Sequence, residues 1–267
     1  MSTILARIVA TKRKRLEHAR RSVPLEELRR RVADAPLAPS FLDELRSGST
    51  IRVIAEIKRG SPSAGVIRSE VDATAQARVY EAAGAAAISV LTEEDHFGGS
   101  LEDLERAVRA TAVPVLRKDF VFDPYQVYEA RASGASSVLL IAEVLQDDVR
   151  LRDLIHLCRE LGMEPLVEVY EQHNAERVLD AGARIVGVNN RDLRTFEVDL
   201  SNTARIAAIV PETTLLVAES GIWSRADVQT VASAGAHAVL VGEALMRSPD
   251  PAQLIGEFSS VPRNVPV

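Results

Sequence analysis

Two lysines and three glutamates carry the chemistry open to this sequence. Glu56 and Lys58 close the run IRVIAEIK, Lys118 closes VPVLRK, Glu168 lies in EPLVEVY and Glu219 ends TLLVAE. Asn189 and Arg191 follow RIVGV in the same way. Each stands in or just after a short apolar run, the composition of a strand buried on both faces. Charges so placed are rarely buried unless paired. Lysines near carboxylates stay protonated, while carboxylates crowded against apolar walls rise in pKa. Acids and bases held apart in this way suit proton transfer. A single charge at a strand end marks only where the chain meets water. Six such residues (Glu56, Lys58, Lys118, Glu168, Asn189 and Glu219) at equivalent places on five strands point to one shared site.

Something must gather those strands. Four phrases recur: AAGAAAISV, ASGASSVLL, DAGARIVGV and SAGAHAVLV, with glycines at 84, 134, 182 and 235. In each, a helix ends, glycine takes the left-handed cap position and an apolar strand follows. Four further strands are predicted between them, at Arg52–Lys58, Val113–Lys118, Glu164–Val169 and Thr214–Glu219. The intervening segments carry apolar residues at helical spacing: 73–83, 101–110, 124–133, 147–161, 172–181, 200–209, 225–233 and 251–258. Start signals stand at Asp72, Ser100, Asp123-Pro124, Asp199 and Ser224. Eight strands alternating with helices predict an α/β fold, a (β/α)8 TIM barrel with its site at the C-terminal ends of the strands. An open doubly wound sheet is the alternative, but no G-x-G-x-x-G follows the first strand. Residues 1–48 are expected to form an N-terminal helical extension of a single barrel domain spanning 1–267, with breaks near Ser22-Val23-Pro24 and Ala35-Pro36.

Two loops suit an anion. Glu219-Ser220-Gly221-Ile222-Trp223-Ser224 opens a helix after the seventh strand, and Gly242-Glu243 opens a short turn after the eighth. Backbone N–H groups at such places bind phosphate, and barrels commonly build phosphate sites there. Ser61, in KRGSPS after the first strand, adds a hydroxyl from the far side. Ser-Gly by itself is a weak signal; the pattern as a whole carries the expectation.

Composition narrows the class. The chain of 267 residues is 46% hydrophobic and 26% charged, enough for a large core. No apolar run approaches the ~18 residues of a membrane span, and MSTILARIVATKRKR lacks a secretory h-region. Cys158 is the only cysteine, so an internal disulfide is impossible, which fits a cytoplasmic protein. Five histidines fall mostly in helices or loops without a ligand pattern, so no metal is expected. Net charge is −6, yet residues 1–31 hold ten Lys/Arg against three acids. Ile4, Leu5, Ile8 and Leu16 accompany the run Lys12-Arg13-Lys14-Arg15 at roughly helical spacing, with no aromatics interleaved. A basic helix docked on an acidic body is expected, rather than a nucleic-acid arm.

The segments AEIKRGSPSAG, SVLTEEDHFGGS, VLRKDFVFDPYQVYEA, LVEVY, GVNNRDL, AESGI and VGEALM, in that order, resemble the indole-3-glycerol-phosphate synthases over nearly the whole chain. The resemblance implies a carbon–carbon lyase of tryptophan biosynthesis that needs no cofactor. Its substrate would be 1-(2-carboxyphenylamino)-1-deoxyribulose 5-phosphate, converted to indole-3-glycerol phosphate with loss of carbon dioxide and water. Residue by residue, Lys118 matches the general acid on the ketone oxygen and Glu168 a base in the dehydration. Glu56 and Lys58 match the pair in which the lysine meets the substrate carboxylate. Asn189 and Glu219 match groups around the anilino and hydroxyl region. Ser61, Gly221, Gly242 and the backbone of Glu243 match the phosphate grip, Arg191 and Ser220 the site lining. Phe97 and the N-terminal helix match an apolar wall for the anthranilate ring. A monomer is expected, in which the length leaves no room for the isomerase domain fused to some members. Other readings are another phosphosugar barrel enzyme, an isomerase or aldolase, or a non-catalytic anion-binding barrel. Cys158 lies in a helical segment, away from the strand ends where an isomerase's Cys/Asp pair would sit.

Overall fold

A computed structural model describes residues 4–264. The first three residues of the expected extension and the last three of the chain lie outside this range. Eight parallel strands close into a barrel: β1 (Arg52–Ile57), β2 (Ala87–Leu91), β3 (Val115–Lys118), β4 (Ser137–Ile141), β5 (Leu166–Val169), β6 (Ile185–Asn189), β7 (Leu215–Glu219) and β8 (Ala238–Val241). β1 pairs with both β2 and β8, which is the closure. Three helices precede the barrel: α1 (Ile4–Ser22), α2 (Leu25–Asp34) and α3 (Phe41–Arg46). The crossover helices are α4 (Ala73–Ala82), α5 (Leu101–Ala110), α6 (Pro124–Ala132), α7 (Asp148–Glu160), α8 (Gln172–Asp180), α9 (Ser201–Ala207) and α10 (Arg225–Ser233), and β8 is followed by α11 (Glu243–Arg247) and α12 (Pro251–Ser259). A short hairpin, Gly60–Ser61 against Gly65–Val66, stiffens the loop after β1.

The local signals act as their chemistry dictates. Gly84, Gly134, Gly182 and Gly235 all hold positive φ between 87° and 102° after their helices. Asp72, Ser100, Asp123 and Ser224 accept backbone N–H bonds as N-caps, and Pro124 sits in the first turn of α6. β3 and β5 start two residues later than the sequence suggests, after Pro114 and Pro165, which have no N–H for a ladder. α9 is shorter than its apolar pattern; the Asp199 carboxylate accepts from the N–H of Ser201 at 2.9 Å and starts the helix there.

Strand alternation sorts the core into two shells. One face of each strand joins the helices in a large cluster that includes Val53, Val90, Val138, Val167 and Val188. The other face builds the barrel interior: Ile54, Ala87, Leu116, Leu139, Leu166, Ile185, Leu215, Val217, Ala238 and Leu240. Two residues further along, the same faces present Glu56, Lys118, Glu168, Gly187, Glu219 and Gly242. The interior is therefore apolar through its lower layers and polar at the mouth.

The basic N-terminal helix lies on acidic partners, as its charge implies. Lys12 reaches Asp119 at 2.7 Å and Glu94 at 3.0 Å, Arg15 pairs with Asp95 at 2.7 Å, and Arg20 with Asp123 at 2.6 Å. Glu93, Glu94 and Asp95 form an acidic trio, and these contacts neutralise two of its members. The third, Glu93, accepts from the N–H groups of His96 and Phe97. No helix among the described residues is long and apolar enough to cross a membrane.

Candidate active site

The residues anticipated from sequence converge. Glu56, Lys58, Ser61, Phe97, Lys118, Glu168, Asn189, Arg191, Glu219, Ser220, Gly221, Gly242 and Glu243 all line one cleft at the C-terminal mouth of the barrel. Counted out to its open mouth, the cleft encloses about 1150 Å³. Two ionic groups face each other in it. Lys58 Nζ lies 3.0 Å from Glu56 Oε1. Lys118 Nζ stands between two carboxylates, 3.1 Å from Glu219 Oε2 and 3.4 Å from Glu168 Oε2. Asn189 Nδ2 donates to Glu168 Oε1 at 3.1 Å, so Glu168 has a donor on each oxygen.

Glu219 does not. Neither of its oxygens receives a well-directed hydrogen bond, although both are buried. Burial pushes its carboxyl up to about 8, against the pull of Lys118 and with help from Glu168 and Glu56. Burial alone would lower Lys118, but the charges of Glu219, Glu168 and Glu56 outweigh it and hold the ammonium above the usual lysine range. Lys118 and the carboxylates beside it therefore titrate together, burial raising Glu219 while the surrounding carboxylates raise Lys118.

The other end of the cleft is built from backbone. Ser220 and Gly221 both take positive φ, 66° and 76°, at the sharp exit from β7. Among the described residues, Ser220 is one of two non-glycine residues in that region, the other being Phe196. At Gly221 a Cβ would come within 2.3 Å of Val198 Cγ1, so a side chain is excluded twice over, by conformation and by space. Gly242 caps α11, and Glu243 turns its carboxylate along that helix to accept from Arg247 Nε at 3.0 Å. Ser61 lies in the hairpin after β1, where its hydroxyl accepts from the N–H of Ala64.

Apolar residues close the remaining walls. Ile4, Leu5 and Ile8 of α1 line the cleft with Phe97 and Phe120, whose ring centroids are 6.1 Å apart. Phe120, Leu193, Phe196 and Trp223 were not anticipated. Phe120 follows Lys118-Asp119 and could have been read from that motif, and Trp223 is the only tryptophan in the chain. Leu193 and Phe196 ride on the loop after β6, which is held by side-chain to backbone bonds within the loop, such as Arg191 Nη1 donating to the Phe196 carbonyl at 2.9 Å.

Comparison with known proteins identifies the family. The family model for indole-3-glycerol phosphate synthase matches residues 5–258. A protein of that name from Rhodopirellula baltica is 47% identical over 248 residues, covering 93% of this chain and 95% of its own. One from Dehalococcoides mccartyi is 46% identical over 96% of this chain and 99% of its own, and one from Lacticaseibacillus paracasei 45% identical over 96% and 98%. Among solved structures, 3-hexulose-6-phosphate synthase from Salmonella typhimurium superposes with a TM-score of 0.63 at 15% identity, over 78% of this chain and 97% of its own. Thiamine phosphate pyrophosphorylase from Pyrococcus furiosus gives 0.59 at 17% identity, over 82% and 96%. These structural likenesses support the barrel fold alone; the sequence relatives go further. The chain belongs to the indole-3-glycerol phosphate synthase family.

Proposed function

We propose the following division of labour for the family reaction. The chain is a carbon–carbon lyase that makes indole-3-glycerol phosphate in tryptophan biosynthesis. Its substrate, 1-(2-carboxyphenylamino)-1-deoxyribulose 5-phosphate, carries a ring, a carboxylate, a ketone and a phosphate, and the cleft offers a partner for each. The observation that carries the assignment is the Lys118 ammonium, held protonated between Glu168 and Glu219. It is placed to protonate the ketone oxygen, which makes that carbon electrophilic enough for ring attack. Decarboxylation then restores aromaticity with little more than orientation. Glu168, tethered by Asn189, takes a proton in the dehydration, and Lys58 supplies the one with which the hydroxyl leaves as water. Glu219, beside Asn189, holds the anilino and hydroxyl region. Lys58, steadied by Glu56, meets the substrate carboxylate. Ser61 and the backbone at Gly221, Gly242 and Glu243 receive the phosphate, with Ser220 and Arg191 shaping the wall beside it. Phe97 and the first two turns of α1 cover the ring. The chain works as a cytoplasmic monomer on a small phosphorylated molecule, without nucleic acid, metal or organic cofactor.

Indole absorbance appearing on addition of the substrate tests the reaction itself. Single-turnover comparison of Lys118→Ala with Lys58→Ala tests the roles. Lys118→Ala is expected to slow condensation by roughly 10²–10⁴-fold, the usual worth of a general acid. Near-normal condensation in Lys118→Ala would transfer that role to Lys58.

A further inference from the structure

The mouth of the barrel contains two places where a side chain is conspicuously missing. Gly187 lies on the inward face of β6, two residues before Asn189 and beside β7, which carries Glu219. A Cβ built on Gly187 would fall 2.2 Å from Glu219 Oε1 and 3.2 Å from Leu166 Cδ1. No real Cβ tolerates the first contact. Gly242, just beyond β8, repeats the arrangement: its Cβ would fall 2.2 Å from Glu56 Oε1 on the neighbouring β1. In both cases a glycine on one strand leaves room for the carboxylate of a glutamate on the next. Gly187 holds no positive φ, so its backbone would accept alanine; the restriction lies in the space alone.

We infer that Gly187 is a positioning residue for the reaction: its missing side chain opens the slot in the barrel wall where the Glu219 carboxylate lies, and this sets where that carboxylate stands relative to Lys118. The inference rests on the role given above to Glu219. The atom that blocks a Cβ is the far end of a flexible side chain, so Gly187→Ala evicts the carboxylate and leaves the strand in place. A Cβ at Gly187 would meet Glu219 Oε1 a full ångström more closely than Leu166 Cδ1, so its effect passes first through Glu219. Gly242 is the less clean probe, because its backbone is assigned to the phosphate.

A double-mutant cycle tests this. Gly187→Ala is expected to lower single-turnover kcat by roughly 10–100-fold with KM within about threefold, the signature of misplacement and not of lost affinity. In the Glu219→Ala background the same substitution is expected to cost less than twofold, since no carboxylate remains to be displaced. An equal cost in both backgrounds overturns the slot, as does a silent Gly187→Ala. A silent Glu219→Ala overturns the role of Glu219, and any Gly187→Ala loss seen beside it overturns the slot as well. Should Gly187→Ala fail to fold, Gly187→Ala/Glu219→Ala is expected to fold, because truncating Glu219 removes the closest contact. A double variant that also fails to fold places the obstruction elsewhere and overturns the inference.

Discussion

Two helices, α3 and α1, close the two ends of this barrel, and they do so by opposite means. At the base, α3 inserts Phe41 and Leu45, both essentially fully buried, among the apolar interior residues. Its last carbonyls, on Leu45 and Arg46, accept from the Arg263 guanidinium, a cation at the negative end of a helix. At the mouth, α1 offers Ile4, Leu5 and Ile8 to the cleft, but it is fastened by charge. Lys12, only 4% exposed, lies one turn beyond Ile8 on a buried carboxylate, Asp119. Asp119 also accepts from Thr92 Oγ1 at 2.6 Å and Arg117 Nη2 at 3.1 Å, and it follows Lys118 directly in the chain. An apolar plug serves a place that only has to stay shut. A buried ion pair serves a place where position must be fixed while the contents remain polar, because removing either partner leaves the other charge uncompensated.

The first way to break this contrast is Phe41→Ala. It should cost about 3–5 kcal/mol of stability by emptying the plug, while the folded fraction keeps its kcat. Denaturant melts and active-site-normalised rates check it, and a matching fall in kcat would mean that the base is not merely a plug. Lys12→Met keeps the length of the side chain and removes the charge. Asp119 would retain Arg117 and Thr92, so the loss should be smaller, about 1.5–3 kcal/mol, the usual worth of a hydrogen bond to a charged group. Here KM for the substrate should rise with kcat less affected, because the helix that covers the ring loses its register. A variant with unchanged KM would reduce Lys12 to a structural fastening like α3.

The same contrast decides what the sequence could reveal. The barrel was legible because apolar strands, helix caps and four glycine stops recur at a near-constant interval, each a local signal. Glu56-Lys58, Lys118, Glu168 and Glu219 were legible because a charge ending an apolar run is costly unless it has partners. The docking of α1 was readable only as a charge imbalance; its particular pairing of Lys12 with Asp119 spans over 100 residues and leaves no spacing pattern. Gly187 was invisible for a different reason. Its contribution is empty space, which acquires meaning only when Glu219 is seen to occupy it. Phe196 and Leu193 belong to a loop whose path is set by Arg191 and Asp192 contacts, not by periodicity.

The mouth should also betray itself through pH. The folded-state pKa of Glu219 is raised from the usual value near 4.5 to about 8. A group with a raised pKa contributes stability that is present in full at low pH and is lost as pH climbs through the folded value. Replacing it by Glu219→Gln removes that dependence. The melting temperature of Glu219→Gln relative to the parent should therefore climb between about pH 5 and 8 and level off above. A difference that stays flat across this window would show that Glu219 is charged throughout, with Lys118 serving both carboxylates equally.

The smallest effect should come from the outer fastening of α1. Arg15 meets Asp95 with two hydrogen bonds, Nε to Oδ2 at 3.0 Å and Nη2 to Oδ1 at 2.7 Å, yet the Arg15 side chain is 51% exposed. The Arg15 hydrogen bond holds the Asp95 carboxyl below its ordinary value. A depressed carboxylate contributes stability above its unfolded pKa and loses it as pH falls through the folded one, the reverse of Glu219. Solvent and salt screen the pair, so Asp95→Asn should cost only about 0.2–1 kcal/mol at neutral pH. That cost should shrink further toward 1 M salt, where the screening length falls to roughly 3 Å. Denaturant melts at low and high salt separate the two grips of the same helix: the loss from Lys12→Met should persist in salt, and the loss from Asp95→Asn should fade. If both fade alike, the Lys12–Asp119 pair is reached by solvent, and the mouth is held no more firmly than the surface.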